Sequence, residues 1–123
     1  MTAQTLDGRA LAKTISEEIA ADVAQFREQH GWEPGIAVVQ VGADPASSWY
    51  VKQIQRSFGR AGMRCDLREL PAATSAADLT ALLAALNADA RTNGVIVQMP
   101  LPEHLPQSLV TDVLDPAKDV DGI

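Results

Sequence analysis

Three short apolar runs, separated by helical stretches, constrain this chain most. The first, at residues 36–41, reads Ile-Ala-Val-Val-Gln-Val after Pro34-Gly35, and its apolar residues are nearly continuous. A strand of this kind is typically buried on both faces, as it is inside a parallel sheet. Residues 64–70 and 95–99 predict two further strands. Helices must then cover both faces of the sheet.

Helical patterns precede and separate these strands. Between Asp7 and Gly31, apolar residues recur at spacings of three and four and predict a long amphipathic helix over residues 8–30. We expect its apolar stripe to face the core; the stripe comprises Leu11, Ile15, Ile19, Val23 and Phe26. Further helices are predicted at residues 46–60, 75–87 and 106–114. This order predicts an α/β fold of three layers, an open, mainly parallel sheet flanked by helices.

Size and charge restrict the class of protein. The 123 residues, 46% of them hydrophobic, are enough for one globular domain or part of one. The 10 basic residues are dispersed and are outnumbered by 16 acidic ones, which argues against a nucleic-acid surface. No stretch approaches the roughly 18–20 apolar residues that span a bilayer, and the N-terminus does not resemble a signal peptide. We therefore expect a soluble, cytoplasmic protein that binds neither nucleic acid nor membranes.

Metal and disulfide chemistry find little support in the sequence. Cys65 is the only cysteine, which excludes a disulfide framework and a cysteine-rich zinc site. It lies in a strand-like run, where a buried core thiol is favoured over a reactive one. His30 and His104 have no second ligand at helical spacing, so no metal site is predicted.

Unusual polar segments follow the first and third predicted strands, at residues 42–50 and 98–102. In open α/β sheets, ligands bind outside the carboxyl ends of the strands, so both segments are candidates for a site. From spacing alone, Tyr50 is an aromatic residue at the edge of a capped helix. Gln98 either stabilises the turn after it or contacts a ligand. Asp115, Asp119 and Asp121 read as solvated turn residues by default.

Three motifs together resemble a known family. They are Val-Gly-Ala-Asp-Pro-Ala-Ser-Ser-Trp-Tyr-Val at residues 41–51, Val-Gln-Met-Pro-Leu-Pro at 97–102 and Lys-Asp-Val-Asp-Gly at 118–122. Their order and spacing are similar to those of the bifunctional methylenetetrahydrofolate dehydrogenase/cyclohydrolase family, the FolD type. The resemblance implies that residues 1–123 form the N-terminal catalytic, folate-binding domain of an enzyme of one-carbon metabolism, with tetrahydrofolate derivatives as ligands.

The resemblance also implies a nicotinamide cofactor, NADP or NAD, bound by a Rossmann-type domain that follows residue 123. The chain itself has no G-x-G-x-x-G or G-x-x-x-x-G-K-[ST] pattern and reads as a fragment. We therefore expect the isolated chain to lack dehydrogenase activity. Members of the family commonly form homodimers, largely through that second domain, so the resemblance implies a homodimer only for the full-length protein.

The resemblance implies a role for each residue that matches a position of the family's motifs. Tyr50 would contact the folate between pterin and aminobenzoate, Gln98 would lie beside the reacting one-carbon bridge, and Asp121 would bind the pterin. A carboxylate can accept both N–H groups of the pterin's amidine edge, as it does from arginine. A rigid apolar wall beside the ring would be formed by Pro100, Leu101 and Pro102.

One position departs from the family pattern. The catalytic lysine of the family, four residues after the tyrosine, is Ile54 here, and the later lysine is Arg56. Hydride transfer depends chiefly on positioning, whereas hydrolysis of the methenyl product gains about 10² to 10⁴ in rate from acid–base help. We therefore expect oxidation of 5,10-methylenetetrahydrofolate to be retained and cyclohydrolase activity to be weakened. The alternatives are a fully bifunctional enzyme that uses another cation, such as Arg56, and a non-catalytic folate-binding paralogue.

Overall fold

The computed structural model describes residues 2–123, which form four α-helices and three strands. The helices are α1 (Gly8–His30), α2 (Pro45–Ala61), α3 (Ala76–Ala88) and α4 (Gln107–Val113). The strands are β1 (Gly35–Val41), β2 (Arg64–Leu70) and β3 (Gly94–Val97), and a 3₁₀ turn follows at Pro116–Lys118. Every predicted element is present. None of the helices within residues 2–123 combines the length and hydropathy needed to cross a membrane.

The three strands form one parallel sheet in the order β2-β1-β3. The predicted α/β fold is thus confirmed, and all strand pairs among the described residues are parallel. Every residue of β1 is buried, because this middle strand has a neighbour on each side and helices above and below. Its position explains why its apolar residues do not alternate with polar ones.

Two apolar cores lie on opposite faces of the sheet. Side chains of β1 alternate between them, as the pleat of a strand requires. The face covered by α3 and α4 contains Ala37, Val39, Val41, Leu79, Leu83, Leu86, Val95, Val97, Leu105, Val110 and Leu114. The face covered by α2 contains Ile36, Val38, Val51 and Ile54. The helices therefore form the outer layers that the sequence predicts.

Helix α1 departs from its predicted packing. Only Val23 is buried in this helix, whereas Leu11, Ile15 and Ile19 are 61%, 44% and 37% exposed. The prediction that the whole stripe faces the core is wrong for its N-terminal half. Val23 lies near Gly62, at the C-terminal end of α2. A helix of 23 residues is about 34 Å long, and exposure of the stripe increases toward its N-terminus.

Side-chain caps set the helix starts that the sequence predicts. Asp7, Asp44 and Ser75 accept hydrogen bonds from backbone N–H groups three residues later, at 3.0, 3.0 and 3.1 Å. Such bonds satisfy amide groups that have no partner inside the helix. Helix α1 ends at Gly31, whose positive φ of 74° is accessible to glycine at little cost.

Candidate ligand-binding site

The strand order creates a crevice at the carboxyl edge of the sheet. After β1 the chain continues to β2 on one side, while β3 lies on the other side of β1. Ligands bind at such points in open α/β sheets. A cavity of about 370 Å³ lies here, lined by Asp44, Ala46, Ser47, Tyr50, Ile96, Val97, Gln98, Met99, Pro100 and Asp121. Both polar segments identified from the sequence therefore meet in one place.

The first two turns of α2 bring Ser47 and Tyr50 to this cavity. Gly42, with a φ of 84°, lets the chain turn sharply after β1. Asp44 caps the helix and Pro45 occupies its first position, where a missing N–H costs nothing. Residues three apart lie on one side of a helix, so Ser47 and Tyr50 both reach the cavity. The Tyr50 side chain is 53% exposed, which leaves part of it free to contact a ligand.

Gln98 offers an unused hydrogen-bond donor. The predicted strand at residues 95–99 ends earlier, at Val97, and the backbone N–H of Gln98 donates to the Val39 carbonyl at 2.8 Å. Its side chain is only 7% exposed, and Nε2 has no hydrogen-bond partner among the described residues. An unsatisfied buried polar group costs about 1–3 kcal/mol. A buried donor in a cavity wall is therefore an indication that a ligand supplies the acceptor.

The three aspartates near the C-terminus have three different roles. Asp115 caps the 3₁₀ turn by accepting from the Ala117 N–H at 2.9 Å. Asp119 accepts through Oδ1 from the N–H groups of Asp121, Gly122 and Ile123, at 3.2, 2.9 and 3.3 Å. Asp121 alone lines the cavity. Asp119 therefore shapes the segment, and the exposed Asp121 carboxylate remains available to a ligand.

The turn after β3 contributes one of its predicted wall residues to this cavity. Pro100, which follows a cis peptide bond, lines it. Leu101 lies elsewhere, in a neighbouring hollow with Leu105, and packs against the core on the α3 and α4 face. Pro102 is likewise absent from the lining of the cavity. The structure therefore brings together Tyr50, Gln98, Pro100 and Asp121, but not Leu101.

Ile54 lies below the cavity, one helical turn after Tyr50. Its side chain is 9% exposed and packs with Ile36, Val38 and Val51. It does not line the cavity, and neither does Arg56, which is exposed. The charged residues in the described lining are the carboxylates of Asp44 and Asp121, with no lysine, arginine or histidine. This lining favours a ligand that presents N–H donors or positive charge.

Two hydrogen bonds at the site were not anticipated from the sequence motifs. Ser47 Oγ donates to the Met99 carbonyl at 3.3 Å, and Gln40 Nε2 donates to Ser48 Oγ at 3.1 Å. Gln40 is only 2% exposed. Its signal in the sequence is a single glutamine inside an otherwise apolar strand, since a buried polar side chain needs a partner.

Comparisons with known proteins identify one family for this chain. The family model described as "Tetrahydrofolate dehydrogenase/cyclohydrolase, catalytic domain" matches residues 6–121. A Bifunctional protein FolD from Rhodopseudomonas palustris strain BisB5 is 45% identical over 123 residues, which are 100% of this chain and 42% of that protein. The Bifunctional protein FolD of Sorangium cellulosum is 46% identical over the same 123 residues, which are 43% of that protein. The chain thus spans less than half the length of these relatives.

Solved structures give the same result. The FolD methylenetetrahydrofolate dehydrogenase/cyclohydrolase of Campylobacter jejuni has a TM-score of 0.89 at 37% identity, covering 98% of this chain and 43% of that one. The Trypanosoma brucei FolD, solved with NADP cofactor and inhibitor, has a TM-score of 0.86 at 31% identity, with 98% and 41% covered. The NAD-dependent 5,10-methylenetetrahydrofolate dehydrogenase of Saccharomyces cerevisiae has a TM-score of 0.79 at 26% identity, with 92% and 35% covered.

Proposed function

Because this chain belongs to the tetrahydrofolate dehydrogenase/cyclohydrolase catalytic-domain family, we propose that its cavity binds a reduced folate. In this proposal, residues 1–123 are the folate-binding part of an enzyme that oxidises 5,10-methylenetetrahydrofolate. The observation that carries it is the buried, unpartnered Nε2 of Gln98 in a cavity that Tyr50 and Asp121 also line.

The lining suits the chemistry of a pterin. The Asp121 carboxylate would accept the two adjacent N–H groups of the pterin's amidine edge, a charge-assisted pair of hydrogen bonds. Gln98 Nε2 would donate to an acceptor near the one-carbon bridge, and the Tyr50 ring would pack against the plane of the ligand. The volume of about 370 Å³ lies within the range of roughly 300–1,000 Å³ typical of small-molecule sites.

The described residues do not fit the nicotinamide dinucleotide that such an oxidation needs. A pyrophosphate binds where the N–H groups at a helix N-terminus are free and the helix dipole attracts negative charge. Side chains occupy that position at α1, α2 and α3, where Asp7, Asp44 and Ser75 accept from the N–H groups. Helix α4 has no side-chain cap, but it is only seven residues long and follows no glycine-rich turn. We therefore assign NADP or NAD to a part of the whole protein outside residues 1–123. The chain alone would bind folate without oxidising it.

Hydrolysis of the methenyl product should be weak. General acid–base help requires a group that exchanges protons beside the reacting carbon, and Ile54 has none. Arg56 is exposed and does not line the cavity, and a guanidinium group stays protonated, which disfavours the fully bifunctional alternative. The carboxylates of Asp44 and Asp121 would instead favour a cationic methenyl product. In this proposal, dehydrogenation is retained in the whole protein and cyclohydrolase activity is reduced.

Folate binding is tested on the 123-residue chain by titrating tetrahydrofolate and following tryptophan fluorescence. Trp49 is 64% exposed and precedes Tyr50, so its emission should respond. Asp121→Asn should weaken binding roughly 10- to 100-fold, the equivalent of about 1.5–3 kcal/mol for hydrogen bonds to a charged group. The matched control Asp112→Asn changes an exposed aspartate outside the cavity and should bind normally. Absence of binding by the unaltered chain would contradict the proposal.

Catalysis is tested on the longest polypeptide that the gene encodes. NAD(P)-dependent oxidation of methylenetetrahydrofolate and hydrolysis of methenyltetrahydrofolate are measured in parallel. Oxidation with little or no hydrolysis is the expected result. Comparable rates of both would show that another group transfers the proton. Neither reaction, with folate still bound, would identify a non-catalytic folate-binding protein.

A further inference from the structure

The first turn of α2 is attached to the sheet edge at two neighbouring residues. Ser47 Oγ donates to the Met99 carbonyl at 3.3 Å, and Ser48 Oγ accepts from Gln40 Nε2 at 3.1 Å. Ser47 and Gln40 are 8% and 2% exposed, so both bonds lie in poorly hydrated surroundings where they hold groups in place. The two serines therefore fix the same helical turn to two different parts of the chain.

Only one of these bonds reaches the segment that carries Gln98. Met99 directly follows Gln98, whose backbone N–H still donates to the Val39 carbonyl of β1, and it lies beyond the last paired residue of β3. Its carbonyl is held by Ser47 instead. The other bond ends on Gln40 in β1, which fixes the helix turn to the middle strand without touching the turn after β3.

We propose that Ser47 is a positioning residue of this site. Its hydroxyl fixes the Met99 backbone, and the fixed backbone directs the neighbouring Gln98 carboxamide into the cavity, opposite the helix that bears Tyr50. The Ser48 hydroxyl joins the same helix turn to Gln40 in β1 and has no contact with Met99, so Ser47 is the residue of this turn that ties α2 to the segment carrying Gln98. This inference rests on the proposed folate binding for its functional consequence, but the orientation of Gln98 belongs to the protein without ligand.

Two matched variants test the proposal, Ser47→Ala and Ser48→Ala, each of which removes one hydroxyl and one hydrogen bond from the same helical turn. The measurements are the NMR resonances of the Gln98 side-chain amide in the ligand-free chain, tetrahydrofolate affinity and the thermal unfolding midpoint. Ser47→Ala should shift the Gln98 amide resonances and weaken tetrahydrofolate binding about 2- to 10-fold, the loss typical of one neutral hydrogen bond. Ser48→Ala should lower the unfolding midpoint similarly while leaving the Gln98 resonances in place.

Either of two results would overturn the positioning role. One is an unchanged Gln98 amide in Ser47→Ala; if affinity nonetheless falls, Ser47 contacts the folate directly. The other is an equal shift of the Gln98 amide resonances in Ser47→Ala and Ser48→Ala. That result would mean that either change loosens the helix turn as a whole. If the unaltered chain binds no tetrahydrofolate, the proposed function fails, yet the comparison of Gln98 resonances still decides whether Ser47 positions it.

Discussion

At residue 54 an isoleucine side chain packs beneath the cavity. It contacts the core formed by Ile36, Val38 and Val51, and Ile96, which lines the cavity, packs against the same cluster. A longer, charged side chain at this position would have to leave an apolar environment or extend past Ile96 into the cavity. Ile54, which in the proposed function cannot transfer a proton, thus also contributes to the packing beneath the cavity.

Replacing Ile54 with lysine should restore hydrolysis at a cost in stability. In the longest polypeptide, Ile54→Lys should raise methenyltetrahydrofolate hydrolysis at least about 10-fold, because an amine then reaches the cavity. It should also lower the free energy of unfolding by about 2 kcal/mol or more, since a lysine that extends to the cavity gives up the packing of the isoleucine side chain against Ile36, Val38 and Val51. The control Ile54→Met keeps the side chain apolar and should change neither hydrolysis nor stability greatly. A folded lysine variant with unchanged hydrolysis would argue against the proposed effect of Ile54.

Cys65 should react slowly in the folded chain. Burial, and to a lesser extent the neighbouring Asp66 carboxylate, raise the pKa of this thiol, so less thiolate is present at a given pH. Alkylation by iodoacetamide at about pH 8 should therefore be slower in the folded chain than in urea. Asp66→Asn should bring a modest increase in the folded rate. Equal rates in folded and unfolded chains would indicate a reactive thiol.

At the level of elements, α1 combines a packed C-terminal half with an exposed N-terminal half. Val23→Ala should lower the free energy of unfolding by about 1–3 kcal/mol, because it removes buried methyl groups beside α2. Leu11→Ala removes more atoms, but Leu11 is 61% exposed, so the change should stay within about 0.5 kcal/mol. Urea unfolding of both variants checks this contrast. A cost for Leu11→Ala as large as that for Val23→Ala would mean that the exposed half is covered in solution.

At the level of the whole molecule, the C-terminal segment returns to the sheet and delivers Asp121 to the cavity. Val95 and Asp119 form an isolated parallel bridge beside β3. Gly94 makes this close approach possible, since a Cβ there would lie 2.6 Å from Val120 Cγ1 and 3.2 Å from Ile36 Cγ2. Neither distance leaves room for an added methyl group, so the Val120 side chain, and with it the segment that bears it, must shift if Gly94 is replaced.

Gly94→Ala should therefore lower the unfolding midpoint and weaken tetrahydrofolate binding together, because displacing Val120 also displaces the adjacent Asp121. The double variant Gly94→Ala, Val120→Ala removes the methyl groups that clash and should recover part of both losses. A double-mutant cycle on unfolding free energy and affinity measures the coupling between the two positions. Additive effects would show that Val120 does not transmit the change.

The sequence determined the elements of this protein, because caps and hydrophobic periodicity act over only a few residues. Asp7 caps α1 at its predicted start, and the nearly continuous apolar run of β1 correctly indicated a strand buried inside a parallel sheet. It also placed Tyr50 and Gln98 after strands, where α/β sheets bind ligands.

The tertiary structure determined the features that depend on contacts between segments distant in the sequence, above all the composition of the cavity. The strand order β2-β1-β3 brings the segments after β1 and β3 together, and the return of the C-terminal segment adds Asp121 but leaves Leu101 against the core. Neighbouring residues in the sequence predict neither the unpartnered Gln98 amide nor the exposed half of α1. Both depend on which other elements of the fold lie next to these residues. Hydrophobic periodicity predicts which side of a helix or strand is apolar. The residues that each side chain contacts are determined only when the elements pack together.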